Sequence, residues 1–356
     1  MVIELDRVRR NIAHMAEITR DAGVAFRPHI KTHKMPQIAW MQLRAGARGV
    51  QTAKLGEAEV MRDAGITDIL VGYPIVGRSK LARLAHLAED AQVTVSLDSY
   101  DAAAAISRTL VGSGVAVRIV VEIDTGMQRI GVAPGSTAAD LAERVAVLPS
   151  LDFAGILTHE GHVCYQARDH VERKEMTEAA CQSMLDSAEE IRLRGLDCDL
   201  VSAGSTGTAR FAVRCPGITE VRAGAYVFND GSQLLQGAAC EDDLAAFVVA
   251  TVVSRPNHEW FVIDAGSKVL GADRLIVRDP PTTFGSIWGR PNWRIVRLSE
   301  EHGVVQTPPG EAVSIGERLL VVPNHICPAI NLAETVAVFE NHVTERWPVA
   351  ARGRVQ

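Results

Sequence analysis

The sequence predicts a closed (β/α)8 barrel followed by a second, mostly β domain. Three observations carry that prediction. Short runs rich in Val and Ile alternate with helical stretches through roughly the first 220 residues, and they read as continuous apolar runs, as parallel strands buried on both faces do. Every proposed strand ends in polar residues, as expected where a barrel gathers its functional groups on one rim. After Gly231 helical periodicity fades, and apolar runs broken by Pro, Gly and Asn replace it. An open, doubly wound sheet is the other arrangement that the same alternation allows.

Taken in order, the expected strands are Val24–Phe26, Gly49–Thr52, Asp68–Gly72, Gln92–Leu97, Ala116–Ile123, Leu151–Leu157, Asp197–Ser202 and Glu220–Ala223. Helices are expected over Met35–Ala45, Leu55–Ala64, Arg78–Ala91, Ala102–Val111, Thr137–Val147 and Val171–Gly195. Their apolar residues recur three and four apart, and Gly46, Gly65 and Gly195 sit at or just past three of their ends. The link before the eighth strand, Gly207–Ile218, has no helical period and is the weakest part of the count. Ahead of the barrel, VIELDRVRRNIAHM reads as a short strand running into an amphipathic helix. The division predicted is 1–237 for the barrel and 238–356 for the β domain, with strands near Ala245–Ser254, Trp260–Asp264 and Arg318–Val322. The tail Ala350–Gln356 is expected to fray.

Composition narrows the function. The chain has 356 residues, 47 % hydrophobic and 22 % charged, with a net charge of -6. No broad basic field draws nucleic acid or a membrane surface. No apolar run approaches the roughly 18 residues of a spanning helix, and no secretory leader is expected. The six cysteines are scattered with no CxxC pair, which predicts reduced thiols in a cytoplasmic protein.

The strand ends carry the chemistry. The first is FRPHIKTHK, with Arg27, His29, Lys31, His33 and Lys34 in one turn. It is either a solvated basic turn or a reactive amine held in a positive field that lowers its pKa. Gln51, Thr52, Tyr73 and Asp98 follow on the next three. IDTGMQRIG places Arg129 five residues past Asp124, able to meet a phenolate or carboxylate, or simply solvated on a surface turn. The sixth end is Thr158-His159-Glu160-Gly161-His162. AGSTGT, residues 203–208, is rich in N–H and hydroxyl donors and can wrap an anion, phosphate being the usual one after strands seven and eight; an ordinary tight turn is the alternative. Arg222, Gly224 and Tyr226 end the eighth strand. In the second domain His325 and Cys327 lie two apart. If that stretch is extended, both face one way and form half of a divalent-ion site.

Taken together, RPHIKTHK, DTGMQRIG, EGH, SAGSTGT, RAGAY, SEEHG (299–303) and PNHICPAINL (323–332) resemble the fold-type III, pyridoxal-phosphate enzymes of the alanine racemase superfamily. The resemblance covers nearly the whole chain and is nearest to the D-threonine aldolase and D-serine dehydratase-like branch. It implies that Lys31 forms the Schiff base with pyridoxal phosphate, with Lys34 a support or a surface residue. It implies that Arg129 meets the cofactor's phenolate oxygen and that Ser205, Thr206, Gly207, Gly224 and Tyr226 form the phosphate cup. His325 and Cys327 would then bind a divalent metal, Zn, Mn or Mg, with Asn331 and Glu301 behind them unless these are merely a turn residue and a surface acid. His162, His159 or Lys31 would serve as the acid/base group, with His162 preferred. The expected reaction is metal-assisted cleavage of a D-β-hydroxy-α-amino acid of the D-threonine type to glycine and an aldehyde. Dehydration of D-serine or D-3-hydroxyaspartate to a keto acid and ammonia is the alternative. Racemases of the superfamily use a tyrosine from the β domain, and no tyrosine follows Tyr226 here. A non-catalytic cofactor carrier would resemble the barrel alone. His159 stands where relatives often carry an aromatic residue, and a short Thr-Pro lead-in common in the branch is absent, so the β domain could lack one strand. The resemblance also implies a homodimer.

Overall fold

The computed structural model describes residues 1–275 and 283–356. The chain forms two compact units that interleave along the sequence. One comprises Ala13–Lys31, Pro36–Gly224 and Gly353–Gln356; the other comprises Met1–Ile12, Thr32–Met35 and Ala225–Arg352. A single cut after residue 237 does not describe this arrangement.

The first unit is built on an eight-stranded parallel sheet. In spatial order the strands are Ala25–Phe26, Glu220–Val221, Leu200–Ala203, Leu151–Thr158, Val117–Ile123, Gln92–Leu97, Asp68–Val71 and Val50–Thr52. A parallel bridge between His29 and Gln51 joins the two edges and closes the barrel. Seven of these strands match the expected runs to within two residues at each end; the seventh in the chain starts later, at Leu200. The strands are apolar along their length because helices cover the outer face while side chains such as Leu70, Val120 and Leu157 are buried in the core. Within Leu151–Thr158, Gly155 has φ +140°, and a Cβ there would lie 2.0 Å from the Leu200 carbonyl oxygen, so only glycine lets the neighbouring strands approach. The helices start where the sequence offers caps. Ser99 accepts from the Ala102 N–H ahead of Tyr100–Leu110, and Asp169 accepts from Val171 and Glu172 ahead of His170–Leu193. The non-periodic link before the last strand holds one short helix, Ala209–Ala212.

The second unit is a nine-stranded, mostly antiparallel sheet. Its order is Trp260–Ile263, Gly303–Gln306, Arg290–Leu298, Gly285–Ile287, Arg318–Pro323, Ala246–Ser254, Val2–Glu4, Thr335–Glu340 and Val343–Pro348. An added pairing of Trp260–Ile263 with Ala246–Ser254 curls the first six strands into a small barrel. Phe261, Ile263, Trp293, Ile295, Val305 and Val321 fill it, with the Phe261 and Trp293 rings edge to face at 5.2 Å. The N-terminal strand Val2–Glu4 belongs here, antiparallel to Ala246–Ser254 and parallel to Thr335–Glu340. The tail is not frayed: Ala351 is buried and donates to the Lys34 carbonyl at 3.0 Å, and in the other unit the Gln356 carbonyl accepts from Gly56 at 2.9 Å. Among the described residues no helix is long and apolar enough to cross a membrane.

Candidate active site

Lys31 lies in the turn that follows strand Ala25–Phe26, and its backbone N–H donates to His29 Nδ1 at 3.4 Å. The electrostatics around it differ from the expected crowd of cations. Arg27 is buried and spoken for: Nη1 donates to Asp68 Oδ1 at 2.6 Å and Nε to Glu220 Oε2 at 2.9 Å. His29 is neutral, because burial, then the charges of Lys31, Arg222 and His159, push its pKa well below the usual histidine range. His33 is buried and accepts the Met35 N–H on Nδ1, and Lys34 donates its amine to Asn331 Oδ1 at 2.7 Å in the second unit. Lys34 is therefore a buried side chain and not a surface one. Arg222 is a further buried cation of this region, and its guanidinium donates to Ser202 Oγ, Gln51 Oε1 and the Thr158 carbonyl. In the sequence alone Arg222 stands out only as a polar strand end. Its signal was an arginine on a strand otherwise committed to the core.

The two histidines of the sixth strand end differ. His159 is buried, and desolvation together with Lys31, Arg222, Arg129 and His162 holds its pKa well below the usual value. His162 opens the short helix His162–Gln166, and its Nδ1 is buried with no hydrogen-bond partner. Its Nε2 sits against the DTGMQ turn, where a Cβ on Gly126 would lie 2.7 Å away. Asp124 builds that turn by accepting the Gly126 and Gln128 N–H groups. Arg129 at its end is exposed, and its charge acts on His159 and on the buried Glu122 carboxyl, whose pKa is raised by desolvation.

The AGSTGT loop leaves strand Leu200–Ala203 through Gly204, which has φ +86° and where a Cβ would meet Val221 Cγ1 at 2.9 Å. Beneath the loop lies Glu160, 1 % exposed. Its carboxylate accepts from the N–H of Gly204 at 3.2 Å, the N–H of Ser205 at 2.9 Å and the Thr208 hydroxyl. Ser205 Oγ and Thr208 Oγ1 are 2.9 Å apart. Ser205, Thr206, Gly207 and Gly224 all belong to this unit, whereas Tyr226 is buried in the 3-10 turn Ala225–Val227 of the second unit.

The second unit holds the histidine–cysteine pair, in a form the sequence did not suggest. The stretch is not extended. His325 caps helix Ile326–Leu332, and Cys327 lies in its first turn. The ring and the thiol still meet: burial alone would lower the His325 pKa, but Cys327, Asp230 and Asp273 carry it up to about 9. His325 Nδ1 is 2.6 Å from Asp273 Oδ2. Cys327 Sγ is 3.1 Å from the hydroxyl of Thr32, the residue that follows Lys31 in the chain. Buried Asp230 accepts the Ile326 N–H at 3.0 Å and so fixes the start of the helix, and the Asn324 amide donates to the Asp273 and Thr283 carbonyls. Asn331 is engaged by Lys34. Glu301 is an exposed acid paired with Lys268, so it does not support the pair. Among the described residues no cluster of three or more His, Cys, Asp or Glu side chains forms a metal cage. The two side chains brought together here are one imidazole and one thiol.

Two family models match the chain: alanine racemase, N-terminal domain, over residues 3–231, and a putative serine dehydratase domain over residues 245–339. A D-threonine aldolase of Arthrobacter sp is 35 % identical, covering 99 % of this chain and 92 % of its own length. The crystal structure of D-threonine aldolase from Filomicrobium marinum superposes with a TM-score of 0.92 at 34 % identity, covering 100 % of this chain and 95 % of that one. The D-threo-3-hydroxyaspartate dehydratase from Delftia sp. HT23 superposes with a TM-score of 0.88 at 32 % identity over 98 % of this chain and 96 % of its own. Structures of that type of dehydratase include a histidine variant and a cysteine variant, changed two positions apart, the latter in a metal-free form.

Proposed function

The chain belongs to the alanine racemase N-terminal domain family, pyridoxal-phosphate enzymes of fold type III, and from that premise we propose a metal-assisted lyase acting on a D-β-hydroxy-α-amino acid. Its leading form is an aldolase of the D-threonine type that yields glycine and an aldehyde. The observation that carries the reading is the coexistence in one chain of the Lys31 turn and a His–Cys pair set for a divalent ion. The residues fit the cofactor: a lysine follows the first barrel strand, the loop at Gly204 has no room for a side chain, and the buried His162 Nδ1 lacks a partner. When bound, pyridoxal phosphate acts as the sink for electrons released at the substrate's α-carbon.

The chain's own groups then divide the work. Lys31 supplies the amine that holds the cofactor, Arg129 a cation for its ring oxygen, and the AGSTGT loop the donors for its phosphate, with Gly224 and Tyr226 assigned to the same cup by the resemblance alone. His325 Nε2 and Cys327 Sγ would hold the ion. Sulfur favours Zn2+, while a site left open to water and substrate oxygens also accommodates Mn2+ or Mg2+. An ion there would lower the pKa of the substrate hydroxyl. We assign the removal of that hydroxyl proton to His162. His159 is kept neutral by burial and neighbouring cations, and so stands as the alternative acceptor. Proton loss from the hydroxyl breaks Cα–Cβ, whereas loss of the α-proton with departure of the hydroxyl is dehydration. The dehydratase reading is retained because the histidine and cysteine changed in the dehydratase have the same spacing as His325 and Cys327. A homodimer acting on a free D-amino acid belongs to the same proposal, as does a cytoplasmic location, which six cysteines free of disulfides support.

Stereochemistry and chelation test it. Protein loaded with pyridoxal phosphate and Mn2+ or Zn2+ should consume D-threonine and leave L-threonine untouched. EDTA should abolish turnover and added metal restore it. Turnover of the L-isomer, or activity indifferent to chelation, would overturn the proposal.

A further inference from the structure

We propose that Glu160 is a positioning residue for the cofactor's phosphate. It braces the AGSTGT loop from below and commits two of the loop's amides to itself. The inference rests on the reading of that loop as the phosphate site and goes beyond it by naming what shapes the loop.

The placement is unusual on electrostatic grounds. An anion site normally turns its backbone N–H groups toward the ligand. Here a carboxylate, 1 % exposed, takes the N–H of Gly204 on one oxygen, and the N–H of Ser205 and the hydroxyl of Thr208 on the other. The Ser205 N–H is shared, because Thr208 Oγ1 also accepts it at 2.8 Å. Both oxygens are therefore acceptors, and neither can be replaced by an amide NH2 without setting donor against donor. The negative charge is not left alone, since Glu160 lies in the field of the buried Arg222 guanidinium.

The consequence is directional. With Gly204 and Ser205 tied downward, the phosphate must be met by other donors of the loop. The peptide planes that follow are then set by a rigid base instead of by the ligand. Such pre-organisation shows as affinity, because the loop no longer has to be ordered on binding. Glu160 lies one residue past His159 and two before His162, so the same short segment would set the phosphate anchor and carry the candidate acid/base group.

The experiment compares two probes on intact protein, pyridoxal 5'-phosphate and pyridoxal, which differ only in the phosphate. Dissociation constants are read from the absorbance change on binding. In the wild type the phosphate should tighten binding strongly. Glu160→Gln should weaken the phosphate form on the order of tenfold to a hundredfold while changing pyridoxal by no more than about threefold. Thr208→Val, a milder change for the case in which Glu160→Gln does not fold, should lower the ratio of the two affinities in the same direction. If both variants weaken the two probes equally, or neither variant changes the ratio, Glu160 only supports the fold and the inference fails. If the wild type itself does not distinguish the two probes, the loop is not the phosphate site and the reading beneath the inference fails first.

Discussion

Removing the carboxylate of Asp273 should weaken metal binding without touching a metal ligand. Asp273 Oδ2 lies 2.6 Å from His325 Nδ1, and that bond fixes which ring nitrogen is protonated and which way Nε2 points. Partners of this kind contribute on the order of tenfold to a hundredfold in metal affinity. The side chains are 41 % and 53 % exposed, so water competes for the bond and the effect belongs at the low end. Asp273→Ala is thus expected to lose about tenfold, or about 1.4 kcal/mol. Asp273→Asn keeps an acceptor for the ring N–H without the charge and should lose less, roughly threefold. The assay is titration of metal-stripped, cofactor-loaded protein with Mn2+ and Zn2+ against a chromophoric chelator. His325→Ala and Cys327→Ala serve as the full-loss reference. Wild-type affinity in Asp273→Ala, with loss in the two ligand variants, would refute the orienting role. Wild-type affinity in all three would remove the metal from this site.

Three further outcomes follow from the geometry. Lys31→Ala should abolish covalent retention of the cofactor and its visible absorption band; Lys34→Ala should keep both and lose about 1 kcal/mol of stability with the bond to Asn331, measurable by urea unfolding. His162→Ala should cut turnover on the order of a hundredfold with cofactor binding intact; a loss below about tenfold would move the proton to His159 or Lys31. Acid should destabilise the fold through His29 and His159, whose folded pKa values lie well below the unfolded value of about 6.5. Above that pH neither state binds the proton. Below it the unfolded chain does and the folded one does not, so each histidine removes up to about 1.4 kcal/mol per pH unit until its folded pKa is reached. Replacing His159 by Asn should flatten the fall in unfolding free energy between pH 6.5 and 5.5, and an unchanged slope would show that His159 titrates normally.

The barrel was legible because its strands are buried on both faces, so apolar runs mark them directly, and because each ends at a polar rim. Lys31 was legible as a chemical anomaly, four cationic or titratable neighbours around one amine. What those neighbours do was not. Arg27 is neutralised by Asp68 and by Glu220, which is 193 residues away in the chain, and no local pattern reports such a pair. The His–Cys pair was singled out on the condition that its stretch be extended, and Cys327 lies in a helix instead. Pro328 looks like a helix breaker, yet it occupies the first turn of Ile326–Leu332, where its missing N–H costs nothing. Asp273 and Asp230 reach the His–Cys segment from 52 and 96 residues away. Residues 1–12 join the β unit because strand Val2–Glu4 finds its partners more than 200 residues downstream. The tail is ordered for the same reason, through the bond from Ala351 to Lys34.

Product analysis tests the central claim most directly. Protein loaded with pyridoxal phosphate and a divalent metal is incubated separately with D-threonine, D-serine and D-threo-3-hydroxyaspartate, and the products are identified. The account predicts cleavage or dehydration of at least one D-β-hydroxy-α-amino acid, with glycine and acetaldehyde from D-threonine for the leading form and a keto acid with ammonia for the alternative. No product from any of the three, with cofactor and metal both shown to be bound, would contradict it.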